Sequence, residues 1–282
     1  MAKATGQQLL TLKGHHMSFI KVPNILFDYY EVECENACGQ RKKLQKIKYY
    51  DLEPVDFRVY VYFLSCGGFV NQKRIVRKYK TIAAHCGVKD PKTVQTSVDR
   101  MINIGLLTKS RRFNNWGHFA ANGYQVAALP GGFFMFDTQY FRHEMSVAEM
   151  CVLLYLNRCR NADDPRFSCP SVSKMCFVLN LAKATVRKSI HWLSQRFYIQ
   201  KNYYISKKGD FGNNRYRLYT SSERNELLRP FRKIVKKAPG FLKSVVRCLK
   251  NIGQRATSLL GLHICTYLLK HMRVGQSFPN TS

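Results

Sequence analysis

Acidic residues are scarce in this sequence: 17 Asp+Glu stand against 46 Lys+Arg in 282 residues, a formal net charge of +29. With a sequence pI near 9.9, such a chain repels itself unless a polyanion supplies the counter-charge. That excludes a neutral surface and points to a nucleic acid or an anionic membrane as partner. Other absences narrow the choice. MAKATGQQLL lacks an apolar run of the usual ~7–15 residues, so no signal peptide is expected, and the ten cysteines read as reduced thiols in a bacterial cytoplasm. Neither GxxxxGK followed by Ser or Thr nor GxGxxG occurs, which leaves nucleotide use without support.

Metal-ligand spacing is lacking too. Cys34 and Cys38 form an isolated CxxxC, while Cys151, Cys159, Cys169 and Cys176 are separated by seven, nine and six residues; no metal or cofactor is expected, with zinc at Cys34 and Cys38 as the alternative. Cys66, Cys86, Cys151 and Cys176 fall in or beside apolar helical patterns and read as small hydrophobes. Rolling-circle nicking enzymes separate their metal-binding His pair by one residue, whereas His15 and His16 are adjacent. Glu31, Glu33 and Glu35 cannot alone make a two-metal site, so the chain is not expected to be an enzyme.

What is present is a chain rich in hydrophobic residues (45%) and aromatics (13%), long enough for two domains with separate cores. It contains a partial copy of itself. Thr93-Val94 falls on Thr185-Val186, Val98 on Ile190, Met101 on Leu193 and Leu106-Leu107 on Tyr198-Ile199, all at an offset of 92. Upstream the offset is 93, placing Ile82 on Met175 and Val59 to Phe63 on Val152 to Leu156. FIKVPNILF from Phe19 resembles FFMFDTQYF from Phe133 at an offset of 114, which implies an inserted polar, basic loop over Asp28 to Tyr50 in the first copy. Solenoid units are much shorter than this period, so a duplicated domain is implied.

Each copy predicts the same elements. In the first, Pro54 to Leu64 is an apolar helix ended by Gly67-Gly68, Thr81 to Cys86 a short helix, and Gly87 a turn. Asp90 caps and Pro91 begins a longer helix that Gly105 stops. In the second, a capping box at Ser146 and Glu149 opens a helix from Val147 to Asn157, Pro170 starts the short helix, Asn180 occupies the turn, and Ala182 to Gln195 is the longer helix. Strand-like periods follow: LLTKSRRF and YQVAAL around NNWGHFAANG, then FYIQKNYYI and RYRLYT around SKKGDFGNN. Helix, helix, turn, helix and hairpin is the grammar of a winged helix-turn-helix. The expected fold class is mainly α with small β (α+β): an N-terminal arm over 1–18, winged helices over 19–128 (inserted loop 28–50) and 133–220, and a basic amphipathic tail over 221–282.

That grammar selects the candidate DNA contacts. Val94, Val98, Met101 and Ile102 form an inward stripe that turns Lys92, Gln95, Thr96 and Arg100 outward; Val186, Ile190 and Leu193 do the same for Lys183, Arg187, Lys188 and His191. Gln95 and Arg187 suit base edges, because Gln to adenine and Arg to guanine are common major-groove pairs. Lys92, Thr96 and Lys188 suit phosphates. Lys89, Thr93 and Thr185 complete the helix set. On the hairpins, Lys109, Arg111 and Arg112, then Lys207, Lys208, Arg215 and Arg217, add cations that displace condensed counterions. The plainer alternative is a solvated helix face. Trp116 and Phe211 at the hairpin tips are expected to fold back on the hairpin, with contact to sugar or base as the alternative.

From Glu223 onward, 12 Lys+Arg face 2 acids. NELLRPFRKIVKK, FLKSVVRCLKN and RATSLLGLHICTYLLKHMR read as short basic amphipathic helices for protein, DNA or lipid contact, with protein or DNA favoured. Ala256 to Leu269 carries no Lys, Arg, Asp or Glu but has only 14 residues, short of the ~20 that span a bilayer.

At FIKVPNILF, followed by an apolar helix and TIAAHCGV and KTVQTSVDRMINIGLL, the first copy resembles the N-terminal domain of plasmid replication initiators of Gram-positive bacteria, the initiator A type. The resemblance covers about residues 19 to 128. It implies binding to repeated sites at a replication origin through Lys92, Gln95, Thr96 and Arg100, with host replication proteins and a homodimer as further partners. Two departures stand out: the long inserted loop, and a second winged helix where such initiators carry a host-specific C-terminal part. A transcription regulator with the same binding chemistry, and a protein- or lipid-binding structural module, are the competing readings.

Overall fold

The computed structural model describes residues 19–34, 43–68, 74–113, 115–118, 120–142, 145–202 and 214–237. Among them the chain is mixed α/β, with seven α-helices and ten short strands in small antiparallel sheets, so strand takes a larger part than the composition suggested.

The first half opens with β1 (Phe19–Pro23) and a 3-10 turn (Asn24–Phe27). Helix α1 (Pro54–Phe63) is almost wholly buried, and Asp56 and Arg58 are buried among its apolar side chains. Its first turn is closed by the Glu53 amide donating to Asp56 Oδ2 at 2.9 Å, and its last runs into a π-turn (Leu64–Gly68) that contains Gly67 at φ 92. After β4 (Ile75–Val76) come α2 (Tyr79–Cys86) and α3 (Pro91–Asn103). Asp90 caps α3 by accepting from the Lys92 amide at 2.9 Å, and Gly105, at φ 77, turns the chain out of it into β5 (Leu107–Ser110) and β6 (Gly123–Val126).

The second half repeats this order: β7 (Phe133–Asp137), a 3-10 turn (Thr138–Arg142), α4 (Val147–Arg158), β8 (Phe167–Ser168), α5 (Val172–Leu179), α6 (Lys183–Gln195), β9 (Ile199–Asn202) and β10 (Arg215–Leu218). The Ser146 and Glu149 capping box is formed in both directions. Helix α5 begins after Ser171, whose hydroxyl accepts from the Lys174 amide at 3.1 Å, and not at Pro170 as the sequence suggested; a side-chain cap outcompetes the fixed φ of proline as the start signal. The three-stranded sheets have matching orders, β4-β6-β5 and β8-β10-β9, and the hairpin registers coincide, with Leu107 opposite Val126 and Ile199 opposite Leu218.

The halves share one continuous apolar core. Across the junction, β1 pairs antiparallel with β7, with Lys21 opposite Met135, and α1 packs on α4. Across the helix pair, the Cys151 thiol donates to the Pro54 carbonyl at 3.1 Å. Asn180, left-handed at φ 52 in the turn after α5, reaches over to donate to the Leu52 carbonyl at 3.2 Å. The equivalent turn after α2 holds Gly87, which has no side chain to reach with. A Cβ there would lie 3.4 Å from the Arg58 guanidinium, and it is Arg58, buried at 2% exposure, that donates to the Met145 carbonyl at 2.6 Å.

Two regions depart from the sequence reading. The inserted segment contains an antiparallel ribbon, β2 (Tyr29–Cys34) and β3 (Lys43–Lys48), where a polar loop was expected. Alternating exposed Tyr30 and Val32 with Glu31 and Glu33 gives it a period of two. Its base is fixed to the second half by Tyr29 edge-on to Phe177 and by Arg158 paired with Asp28 at 3.0 Å. The region after β10 starts with α7 (Ser221–Lys237), which docks on the second half. Ser221 bonds to Asp137, Arg224 donates to the Arg196 carbonyl at 3.0 Å, and Leu228 is buried. The first part of the expected tail thus belongs to the folded body. The arm over 1–18, Cys38 and residues 238–282 lie outside the described residues.

Candidate nucleic-acid interface

The two longer helices turn the expected polar faces outward. On α3, Val94, Val98 and Met101 are fully buried, while Lys92, Thr93, Gln95 and Thr96, with Lys89 in the preceding turn, are exposed. On α6, Val186, Ile190 and Leu193 are buried; Lys183, Arg187, Lys188 and His191 are exposed and Thr185 is half-buried. The offset of 92 sets Gln95 against Arg187 and Thr96 against Lys188, so each half presents a bidentate-capable side chain followed by a shorter or cationic one at the same place on its helix.

Two helix residues sit differently from the reading. Arg100 is not part of the outward face: its Nη1 donates to Asp56 Oδ2 at 2.6 Å, and Asp56 is fully buried. One turn of helix carries Arg100 to the border of the apolar stripe, where the uncompensated carboxylate of α1 draws it in. The Thr96 hydroxyl donates to the Lys92 carbonyl at 3.1 Å, so its oxygen offers only acceptor capacity outward. His191 contacts Gln195 along its own helix.

The hairpins divide into exposed and tethered cations. Arg111 and Arg112 are exposed. Lys109 folds back, with Nζ 2.9 Å from the Tyr79 hydroxyl and 3.8 Å from Asp99. In the second half, Arg215 lies over the Phe167 ring at 3.7 Å, and Arg217 lies 3.7 Å from Glu223 and over Tyr219. These three cations are tethered to partners on other elements and are not free-standing charges. Lys207, Lys208 and Phe211 lie outside the described residues. Trp116 is 81% exposed, which corrects the expectation that its ring folds back on the hairpin.

Lys201 was missed in the sequence, where FYIQKNYYI reads as an apolar strand. It is the equivalent of Lys109 at the same offset, facing Tyr216 as Lys109 faces Tyr124. With Arg187, His191, Ser194 and Asn214 it lines a cleft of about 410 Å³ between α6 and the second hairpin. The repeat offset, carried two residues past the matched pair Leu107 and Ile199, identifies it.

Among the described residues no group of three or more His, Cys, Asp and Glu is placed to hold a metal. Cys86 and Cys151 are buried and Cys66 and Cys176 half-buried; burial pushes the Cys86 and Cys151 thiols up to about 12. Among the described residues, no helix is long and apolar enough to cross a membrane. No protein-family model matches the chain, and no curated protein matches it.

Proposed function

We propose that the chain is a non-enzymatic, sequence-specific double-stranded DNA-binding protein built from two winged helix-turn-helix units, acting as the replication initiator of a plasmid or mobile element. One observation carries the DNA-binding reading: the residues suited to base and phosphate contact are exposed at equivalent positions of both halves, Gln95 and Thr96 on α3, Arg187 and Lys188 on α6, each on a helix whose opposite face is buried. A merely solvated face has no reason to repeat such chemistry at one offset. The charge excess of the chain supplies the long-range attraction. Arg111, Arg112 and Lys201 flank the helices as backbone contacts.

The test is binding of the full chain to random duplex DNA across a salt series, followed by sequencing of the retained fragments. A steep fall of affinity with salt and an enriched consensus are expected. Several copies of the consensus per natural fragment fit an origin, and a solitary site beside a gene fits a promoter. Affinity independent of salt and of sequence overturns the reading.

A further inference from the structure

Lys21 and Met135 are equivalent residues of the two halves, and they pair with each other in the antiparallel β1–β7 sheet. On either side, Phe19 meets Asp137 and Pro23 meets Phe133, so each residue faces the equivalent of its own mirror position. Only a local two-fold axis between Lys21 and Met135 produces that register; halves related by translation along the chain could not set a strand antiparallel to its own copy. The helix interface is independent of the strands and obeys the same axis. The turn after α5 satisfies the Leu52 carbonyl through Asn180, and beside the turn after α2 Arg58 satisfies the Met145 carbonyl, the equivalent of Leu52. Contacts exchanged in both directions, on both sides of α1 and α4, show that the axis runs through the whole junction.

We infer that a single molecule reads an inverted repeat of two unlike half-sites. The inference rests on the proposed DNA binding and specifies its substrate. A two-fold axis carries α3 onto α6 at the same height along that axis, which is the relationship homodimeric repressors use to match the dyads of a duplex. The word read by α6 therefore lies on the opposite strand to the word read by α3. The words differ because the reading residues differ: Gln95 favours adenine where Arg187 favours guanine. The site is a pseudo-palindrome, one arm adenine-directed and the other guanine-directed, and it is filled by one chain.

The experiment selects fragments from a random duplex pool with the full-length chain, then compares the selected site with a version in which one arm is reversed at unchanged spacing. Mass of the complex is measured by sedimentation. Inverted arms, one chain per site, and a loss of about 100-fold or more on reversing an arm are expected, since reversal mismatches several base pairs at once. Arg187→Ala relaxes base preference in one arm only. A selected direct repeat, two chains per site, or relaxation of both arms by Arg187→Ala overturns the inference while leaving DNA reading intact. Absence of any selected, salt-sensitive complex overturns the underlying function and the inference with it.

Discussion

Arg100 Nη1 lies 2.6 Å from Asp56 Oδ2, joining α3 of the first half to the first turn of its buried helix α1. Asp56 also accepts from the Glu53 amide, so one carboxylate both caps α1 and anchors α3. Arg100→Ala leaves that buried group short of a charged donor, and the chain is expected to lose about 1.5–3 kcal/mol, read from the urea midpoint. The salt dependence of DNA binding is expected to stay unchanged. A slope reduced by about one with an unmoved midpoint assigns Arg100 to phosphate instead.

Arg187 and Lys188 are neighbours on α6 with different expected roles. Arg187→Ala costs roughly 1–3 kcal/mol on the cognate site and relaxes discrimination at one base position, whereas Lys188→Ala weakens all sequences alike and reduces the salt slope by about one. Fluorescence anisotropy on cognate and scrambled duplexes separates the two. Equal losses on both duplexes from Arg187→Ala refute base reading.

Trp116 and Trp192, the two tryptophans of the chain, sit in opposite settings. Trp192 stacks on Tyr198 at 5.8 Å, with the Arg196 guanidinium 4.9 Å from its ring, while Trp116 is exposed at the first hairpin tip. Duplex DNA is expected to quench emission in a Trp192→Phe background and to leave it unchanged in a Trp116→Phe background. Trp116→Ala should shift stability by less than about 0.5 kcal/mol. Quenching confined to Trp192 would mean the hairpin tip stays clear of the duplex.

Burial raises the thiols of Cys86 and Cys151 from 9.0 to about 12 and the Tyr140 phenol from 10.0 to about 12. All three are protonated when folded and ionise more readily when unfolded. Their contribution is complete below about pH 9 and is lost as pH rises toward 12. The urea midpoint should be flat from pH 7 to 9 and fall above it. At pH 8, iodoacetamide should modify the exposed Cys169 and spare Cys86 and Cys151 until urea is added. Labelling of Cys151 in the native chain contradicts this.

Local signals made most of the helices legible. Asp90 with Pro91, Ser146 with Glu149, and the left-handed Gly87, Gly105 and Asn180 each act within one turn of chain, and the structure uses each where the sequence places it. Contacts made at long range were not legible. The Arg100 partner lies 44 residues away, and helical periodicity alone turns Arg100 outward. Strands β4 and β8 have two residues each, too few for a period to show. In the inserted ribbon β2 alternates, but in β3 Leu44 and Ile47 stand three positions apart, so the two strands showed no common period. On the outer faces of α3 and α6, periodicity sufficed to expect Gln95, Arg187 and Lys188 exposed, since exposure there depends only on the helix that carries them. It failed for Lys109, Arg215 and Arg217, whose partners come from other elements.

The junction of α1 with α4 and of β1 with β7 lies within one covalent chain. Subunits of an ordinary dimer drift apart on dilution, and their joint affinity fades with protomer concentration. These halves cannot. At a handful of molecules per cell the arrangement stays complete, so under the proposed DNA binding by one chain, occupancy of a site is expected to track the number of molecules in direct proportion and not as its square.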